Sequence, residues 1–291
     1  MNYVYIHRGE YPNYLKYSIN SVLSVDSNSK VYLIGENDPN FKNVNFININ
    51  EITSNTTLNL IELNIYNQTN YDPEINTLWE TSLLRVFYLN DFLNETNIKE
   101  CVHFDNDVLI YKEFSSIKSS LSSRQFNITE HIKDTPIYGY SYIPNSKIYN
   151  LICLEIINYL ENIYMNDNYF KSYPLNEMEI LKIIKIRFKQ YFFKLPSLPY
   201  EGSKNLFDPA TYGQYLGGTH AKPNRLMTIK RSQLNHLVGS ELSSKRIKAV
   251  YKNNEPKVIY NNKIFDLVNL HIHSKNLYKF LPDKYRNLVN F

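Results

Sequence analysis

The sequence predicts an α/β fold in which a mostly parallel central sheet is flanked by helices. Residues 2 to 7 (NYVYIH) are β-prone, and residues 30 to 35 (KVYLIG) predict a buried strand that ends at a glycine. Between them, apolar residues recur at helical spacing after Pro12, a residue that suits the first turn of a helix. Residues 44 to 49 predict a third strand. Strand, helix and strand at this spacing are typical of a βαβ unit with parallel strands.

An acidic pair follows the next predicted strand. Thr77 and Glu80 form a capping box, which predicts the start of a helix that extends to about residue 92. The helix leads into the apolar run CVHF, which continues directly into Asp105, Asn106 and Asp107. We therefore expect Asp105 and Asp107 at the carboxyl end of a strand, where open α/β sheets bind their ligands.

The second half of the chain is less regular. It predicts three strands, at residues 138 to 143, 257 to 260 and 267 to 273. It also predicts two helices, near residues 147 to 165 and 174 to 193. The late strands indicate a small antiparallel element near the C-terminal half. Residues 196 to 224 are rich in Pro and Gly and predict a loop of the kind that often binds ligands.

Composition limits the classes of partner. The 32 basic and 28 acidic side chains give a net charge of +4, too weak to indicate nucleic acid as the main partner. The two cysteines exclude a disulfide framework. The N-terminus lacks the pattern of a signal peptide, and no apolar run is long enough to span a membrane, so we expect a soluble, cytoplasmic protein. Residues 180 to 194 combine apolar and basic side chains, which favours a core helix with a solvated basic face over peripheral membrane contact.

The acidic pair predicts a metal site. If the strand stays extended through the motif, His103, Asp105 and Asp107 point the same way and two carboxylates share one small space. A divalent cation relieves their repulsion, and Mg²⁺ or Mn²⁺ held by one or two carboxylates keeps positions open for phosphate oxygens. The alternative is that Asp-Asn-Asp is an ordinary turn.

Four segments together resemble glycosyltransferases of the GT-A fold, which is Rossmann-like: WETSLLR, CVHFDNDVLIY, FDPATYGQYLGG and LHIHSK. The resemblance implies that Asp105 and Asp107 bind a manganese or magnesium ion and the diphosphate of a sugar nucleotide. It also implies one domain over residues 1–291, with a nucleotide-binding half at 1–115. Residues 116–291 would then form the acceptor half and hold a C-terminal metal and phosphate motif.

The resemblance assigns further residues to the donor. Arg85 would lie near the sugar or the phosphates, and Lys275 would contact the phosphates. Either His271 or His273 would be a third metal ligand, because both alternate onto one face of LHIHSK. The residues expected to contact the nucleotide are Tyr5, Ile6, His7, Arg85, Asp105, Asn106, Lys275, Gly217 and Gly218.

The segment FDPATYGQYLGG implies a loop that lines the sugar and acceptor pocket. Its Asp208 and Gln214 offer directional hydrogen bonds to sugar hydroxyls, and Gly217 and Gly218 permit close backbone approach. Asp208, Arg85 and Gln214 are the candidate catalytic residues. Asp208 would be the base of an inverting reaction. The late histidine motif resembles retaining enzymes somewhat more, so retention is slightly favoured over inversion.

The predicted function is transfer of a sugar, most simply from a UDP-sugar, to a hydroxyl of a glycan or similar acceptor. One alternative is a phosphatase of the haloacid-dehalogenase kind, in which Asp105 would be the covalent nucleophile. A second is a non-catalytic protein that binds a sugar nucleotide on the same fold. The sequence leaves the donor sugar, the acceptor and the oligomeric state open.

Overall fold

The computed structural model describes residues 1–62, 73–161, 176–219, 235–282 and 285. The strands in these ranges are β1 (Asn2–Ile6), β2 (Lys30–Gly35), β3 (Val44–Asn48), β4 (Cys101–His103), β5 (Val108–Ile110), β6 (Phe126–Ile132), β7 (Thr135–Ile143), β8 (Phe192–Lys194), β9 (Asn205–Leu206), β10 (Lys248–Lys252), β11 (Glu255–Tyr260), β12 (Lys263–Leu267) and β13 (Asn269–His271). The helices are α1 (Asn13–Val25), α2 (Ile49–Ile52), α3 (Asn55–Glu62), α4 (Pro73–Glu95), α5 (Phe114–Ile117), α6 (Ser146–Tyr159), α7 (Glu177–Arg187), α8 (Thr211–Gly217) and α9 (Leu237–Ser243).

The central sheet has seven strands in the order β3-β2-β1-β4-β7-β6-β8. Strand β7 is antiparallel to both its neighbours, while the other six strands run in one direction. This confirms the predicted mostly parallel sheet. The strand order reverses between β1 and β4, and the carboxyl ends of the two strands flanking such a reversal form a ligand-binding crevice in open α/β sheets.

Two smaller sheets come from the later part of the chain. Strands β10, β11 and β12 form an antiparallel meander, which β9 extends in parallel at one edge, and this confirms the predicted antiparallel element. Strand β13 pairs with β5 in antiparallel fashion, so that His271 lies opposite Val108. The second pairing matters most for the site, because it joins the late histidine segment to the acidic turn.

Strand β1 shows why the sheet is buried on both faces. Its side chains alternate, so that Tyr3 and Tyr5 pack on the face covered by α1, while Val4 and Ile6 pack on the face covered by α4, α6 and α7. Because every position of β1 after Asn2 is apolar or aromatic, the strand packs against helices on both faces of the sheet. The carboxyl end of β1 is therefore held rigidly at the crevice.

Two predicted helices have different bounds in the structure. Helix α4 begins at Pro73 rather than at Thr77, in keeping with the preference of proline for the first helical turn. Helix α7 covers only part of the predicted range 174 to 193, because it begins after Asn176 and ends before Phe188. The side chain of Asn176 caps the helix by accepting a hydrogen bond from Glu179 N at 3.0 Å. Part of the helix predicted near 147 to 165 lies outside the described residues. Among the helices that are described, none is both long and apolar enough to cross a membrane.

A buried ion pair fixes α7 on the central sheet. Lys185 Nζ lies 2.5 Å from Glu130 Oε1 and 2.8 Å from Asp134 Oδ1, and only 8% of the lysine side chain is exposed. Lys182, on the same helix, is 38% exposed and pairs with Glu179 at 3.6 Å. The sequence predicted that the basic residues of this helix lie on a solvated face. Lys185 is an exception, because it neutralises the buried carboxylate of Glu130.

We expect Lys185→Ala to lower the free energy of unfolding by about 3 kcal/mol, because it leaves Glu130 as an uncompensated buried charge. Lys182→Ala is the matched control and should cost no more than about 1 kcal/mol, since its ion pair is at the surface. Urea unfolding of the two variants tests this. Equal losses of unfolding free energy in the two variants would show that the buried ion pair stabilises the protein no more than the surface pair does.

Candidate functional site

The two aspartates converge because the chain turns between them. Strand β4 ends at His103, and Val108 N donates to Asp105 O at 3.1 Å, which closes a turn. Strand β5 then leaves the central sheet and pairs with β13. The strand therefore does not stay extended through the motif, and His103 lies apart, with its Nδ1 2.8 Å from Val4 O. The turn and the paired acids are both present, so the two interpretations of the motif are not exclusive.

His271 joins the two carboxylates. Its Nε2 lies 3.0 Å from Asp107 Oδ1 and 3.4 Å from Asp105 Oδ2. One ligand atom from each of the three residues lies within 4.8 Å of the others, and among the described residues this is the one group of its kind. Asp107 and His271 are buried, whereas Asp105 is partly exposed. The cluster thus has a closed inner side and an open outer side.

The donor set of the cluster fits a hard divalent cation. Ligand atoms that sit about 2.1 Å from one ion at right angles are roughly 3.0 Å apart, close to the two distances from His271 Nε2. Two carboxylate oxygens suit Mn²⁺ or Mg²⁺, and the imidazole nitrogen adds a borderline ligand that first-row divalent metals accept. The exposed side of Asp105 leaves room for further oxygen ligands.

His273 stands behind His271 instead of facing the acids. The two rings are 4.6 Å apart at their centroids, and His273 Nδ1 accepts from Gln214 Nε2 at 3.3 Å. Burial, together with the neighbouring His271, lowers the pKa of His273 to about 3, which keeps this ring neutral. The sequence left the choice between the two histidines open, and the geometry favours His271 as the ligand.

Cations flank the cluster on both sides. Lys275 donates to Asp107 Oδ2, and Arg85 donates to Asp105 Oδ1. Burial opposes ionisation of Asp107, but His271 and Lys275 outweigh it and hold the pKa of this carboxyl well below its usual range. Burial likewise lowers the pKa of His271, and the larger combined effect of the two aspartates raises it above the ordinary value. Positive charge therefore already compensates the acids.

Glu177 is a member of the site that the sequence did not reveal. Arg85 Nη2 donates to Glu177 Oε1 at 3.3 Å, so the guanidinium bridges Glu177 and Asp105. The arginine also lies over the ring of Tyr138, 4.8 Å from its centroid. Burial raises the pKa of Glu177, although Arg85 opposes this. An acidic residue in the first turn of a capped helix is explained by the helix alone, so the sequence does not indicate the contact with Arg85.

Tyr5, Ile6 and His7, which are predicted to contact the nucleotide, lie at or just after the end of β1 and differ in how far their side chains are exposed. Tyr5 is buried, and its hydroxyl is 3.1 Å from Ser18 Oγ, so its side chain belongs to the core. Ile6 is also a core residue. Asn106 Nδ2 donates to Ile6 O at 2.9 Å, which ties the acidic turn to β1. His7 follows the strand and is the one of the three β1 candidates whose side chain lies outside the core.

Asp208 organises the loop between β9 and α8. Its side chain is 0% exposed and accepts four backbone hydrogen bonds of 2.8 to 2.9 Å. The four donors are the N–H groups of Ala210, Tyr212, Gly213 and His271. Both oxygens of Asp208 are therefore occupied and enclosed in this arrangement, and its role as a base stays a prediction. Asp208 holds the backbone of His271 in place.

The glycines of FDPATYGQYLGG have two structural roles in a segment that forms helix α8 from Thr211, where the sequence predicted a loop. A Cβ atom on Gly213 would lie 1.9 Å from His271 O, so α8 can approach β13 only with glycine at this position. Gly217 ends α8, and Gly218 follows with φ 81°, a conformation that favours glycine after a helix. The predicted contact of Gly217 and Gly218 with a nucleotide stays a prediction.

Asp208→Asn is expected to destabilise the protein by about 2 to 4 kcal/mol, because the amide nitrogen cannot accept two of the four N–H groups and leaves them buried without partners. The exposed Asp38 provides the control, and Asp38→Asn should change the stability by less than about 0.5 kcal/mol. Thermal and urea unfolding measure both. Wild-type stability of Asp208→Asn together with loss of catalysis would support its role as a base.

Known structures provide a limited comparison. No protein-family model matches the chain, and no curated protein matches it in sequence. The galactosyltransferase LgtC, solved with donor and acceptor sugar analogs, is 12% identical, with a TM-score of 0.45, over 81% of this chain and 83% of that chain. Mouse xyloside xylosyltransferase 1 is 11% identical, with a TM-score of 0.44, over 67% of this chain and 86% of that chain.

A third match is the apo form of the glycosyltransferase GlyE from Streptococcus pneumoniae TIGR4. It is 15% identical, with a TM-score of 0.41, over 74% of this chain and 48% of that chain. This chain therefore spans less than half of GlyE. All three proteins are glycosyltransferases, the class that the sequence motifs resemble. At such identities and TM-scores, however, the likeness carries no conclusion about the activity of this chain.

Proposed function

We propose that the chain is a metal-dependent glycosyltransferase that moves a sugar from a nucleoside-diphosphate sugar, UDP-linked in the simplest case, to a hydroxyl of a glycan or similar acceptor. The observation that supports this most directly is the cluster of Asp105, Asp107 and His271 with Arg85 and Lys275 on either side. The cluster sits at the reversal of strand order, where a diphosphate would find both a divalent ion and fixed cations.

Each residue of the cluster has a defined task in this proposal. Asp105, Asp107 and His271 hold Mn²⁺ or Mg²⁺, which when bound neutralises charge on the departing diphosphate. Arg85 is kept in place by Glu177 and directs its guanidinium to the edge of the cluster, while Lys275 offers an ammonium from the other side. Both cations are positioned before a ligand arrives, so little reorganisation is needed when negative charge develops.

The enclosure of Asp208 bears on the stereochemical course. An inverting transfer needs a carboxylate that accepts the proton of the acceptor hydroxyl, and the oxygens of Asp208 are taken by backbone N–H groups. Retention needs no base in that role, so we propose a retaining reaction. Gln214, which contacts His273, is proposed to orient the sugar or acceptor rather than to transfer a proton.

The phosphatase alternative fits the geometry less well. A covalent nucleophile needs a carboxylate oxygen that can reach a phosphorus atom, whereas the two oxygens of Asp105 face Arg85 and His271. A binding protein without catalysis would use the same cluster. Turnover is therefore the property that separates it from a transferase.

The test is release of UDP from a panel of UDP-sugars, with and without Mn²⁺. We expect the wild type to release UDP from at least one donor only when the metal is present. Asp107→Asn should reduce the rate by about 100-fold or more, because the variant replaces a charged carboxylate ligand with a weaker, neutral amide oxygen and loses the charge that compensates Lys275. Asp38→Asn, on the exposed loop after β2, serves as the control and should keep the wild-type rate.

Metal-independent release, or an equal rate in Asp107→Asn, would contradict the proposed site. Binding of UDP with Mn²⁺ but no release from any donor, tested with a broad acceptor panel, would favour the binding protein. Hydrolysis of simple phosphate esters without binding of sugar nucleotides would favour the phosphatase.

A further inference from the structure

Lys275 is held in an unusual way for a lysine at the edge of a site. Its backbone has φ 61°, in the left-handed region that non-glycine residues rarely adopt, and its N–H donates to Ile272 O at 2.9 Å. This tight turn after β13 directs the side chain back toward the acidic turn, where its ammonium reaches Asp107. Only 27% of the lysine side chain is exposed.

The face of Tyr14 supports the same ammonium. Lys275 Nζ lies 5.2 Å from the centroid of the Tyr14 ring, within the range of a cation–π interaction. The lysine is therefore bound on two sides, by the carboxylate of Asp107 and by an aromatic ring. The ring attracts the ammonium without taking its hydrogen-bond donors, so those donors stay available to another oxygen.

Helix α1 is tied to the acidic turn, and this fixes the position of Tyr14. Tyr14, Ser18 and Ser21 are spaced four and three residues apart and so share one face of α1. Ser18 Oγ donates to Val108 O, and Ser21 Oγ accepts from Ile110 N at 3.0 Å. The helix is thereby fastened to β5, directly after Asp107, and its first turn places Tyr14 beside Lys275.

We propose that Tyr14 is a positioning residue for Lys275. Its ring holds the ammonium at the edge of the cluster when Asp107 becomes a metal ligand, so that the lysine meets a phosphate oxygen of the donor and does not extend into water. This inference rests on the proposed function, because it assigns to Lys275 a phosphate of a nucleoside diphosphate as its partner. Tyr14 itself does not touch the reacting atoms.

The first experiment measures the affinity for UDP in the presence of Mn²⁺. We expect Tyr14→Leu to raise the dissociation constant by about fivefold, and Tyr14→Phe, which keeps the ring, to stay within about twofold of the wild type. In the Lys275→Met background, Tyr14→Leu should have no further effect. A Tyr14→Leu variant that binds like the wild type would overturn the inference. So would an equal loss in both backgrounds, because it would show that Tyr14 only supports the fold.

A second experiment needs no nucleotide and separates this inference from the proposed function. Lysines of the protein are reductively methylated with ¹³C, and the Lys275 signal is identified by its absence in Lys275→Met. Tyr14→Leu should shift that signal, because the ring over the ammonium is lost, and Tyr14→Phe should leave it in place. A signal that does not move in Tyr14→Leu overturns the contact. A wild type that shows the contact but binds no UDP overturns the proposed function and the phosphate role with it.

Discussion

Mutual repulsion between Asp105 and Asp107 is the constraint on which the rest of the site depends. Two carboxylates on one short turn, one of them buried, are stable only where positive charge surrounds them. Two elements far apart in sequence supply that charge: α4 provides Arg85, and the segment that begins with β13 provides His271 and Lys275. In the proposed function, the two acids and His271 hold a divalent ion, and Arg85 and Lys275 face the diphosphate.

The fold serves this constraint through a few contacts. The pairing of β13 with β5 brings His271 to the acidic turn, and Asp208 fixes the backbone of that histidine from the opposite side. Gly213 allows α8 to lie against the same strand. On the outer side, Glu177 at the head of α7 holds Arg85. The ligand atoms are thus set by backbone pairing and buried hydrogen bonds, which makes the site rigid before any ligand binds.

The central sheet could be predicted because its strands have simple patterns. In a strand such as β1, every position after Asn2 is apolar or aromatic and buried on one of two faces, so the strand is recognised at once. The paired acids at the end of β4 could be predicted for the same reason, since they interrupt an apolar run. Their convergence could not be derived correctly, because it arises from a turn and from the departure of β5 to another sheet, both of which depend on tertiary pairing.

Residues that act through distant partners were the hardest to predict. Glu177 and Arg85 are 92 positions apart in the sequence and lie on two different helices. In the sequence, Glu177 looks like an ordinary acidic residue in the first turn of a helix. The sequence identifies Asp208 as a candidate by its carboxylate, but it does not show that four backbone N–H groups enclose that carboxylate. The sequence predicts Tyr5 at the nucleotide because it lies on the first strand, but it does not show that strand alternation directs the Tyr5 ring into the core.

The central claim is that Asp105, Asp107 and His271 bind one divalent cation together. A crystal soaked with Mn²⁺ and UDP, with data collected near the manganese absorption edge, tests it most directly. We predict an anomalous peak about 2.1 to 2.3 Å from Asp105 Oδ2, Asp107 Oδ1 and His271 Nε2, in contact with the diphosphate. An anomalous peak at another position would contradict the account. So would a diphosphate bound at this edge while Asp107 contacts only Lys275 and His271.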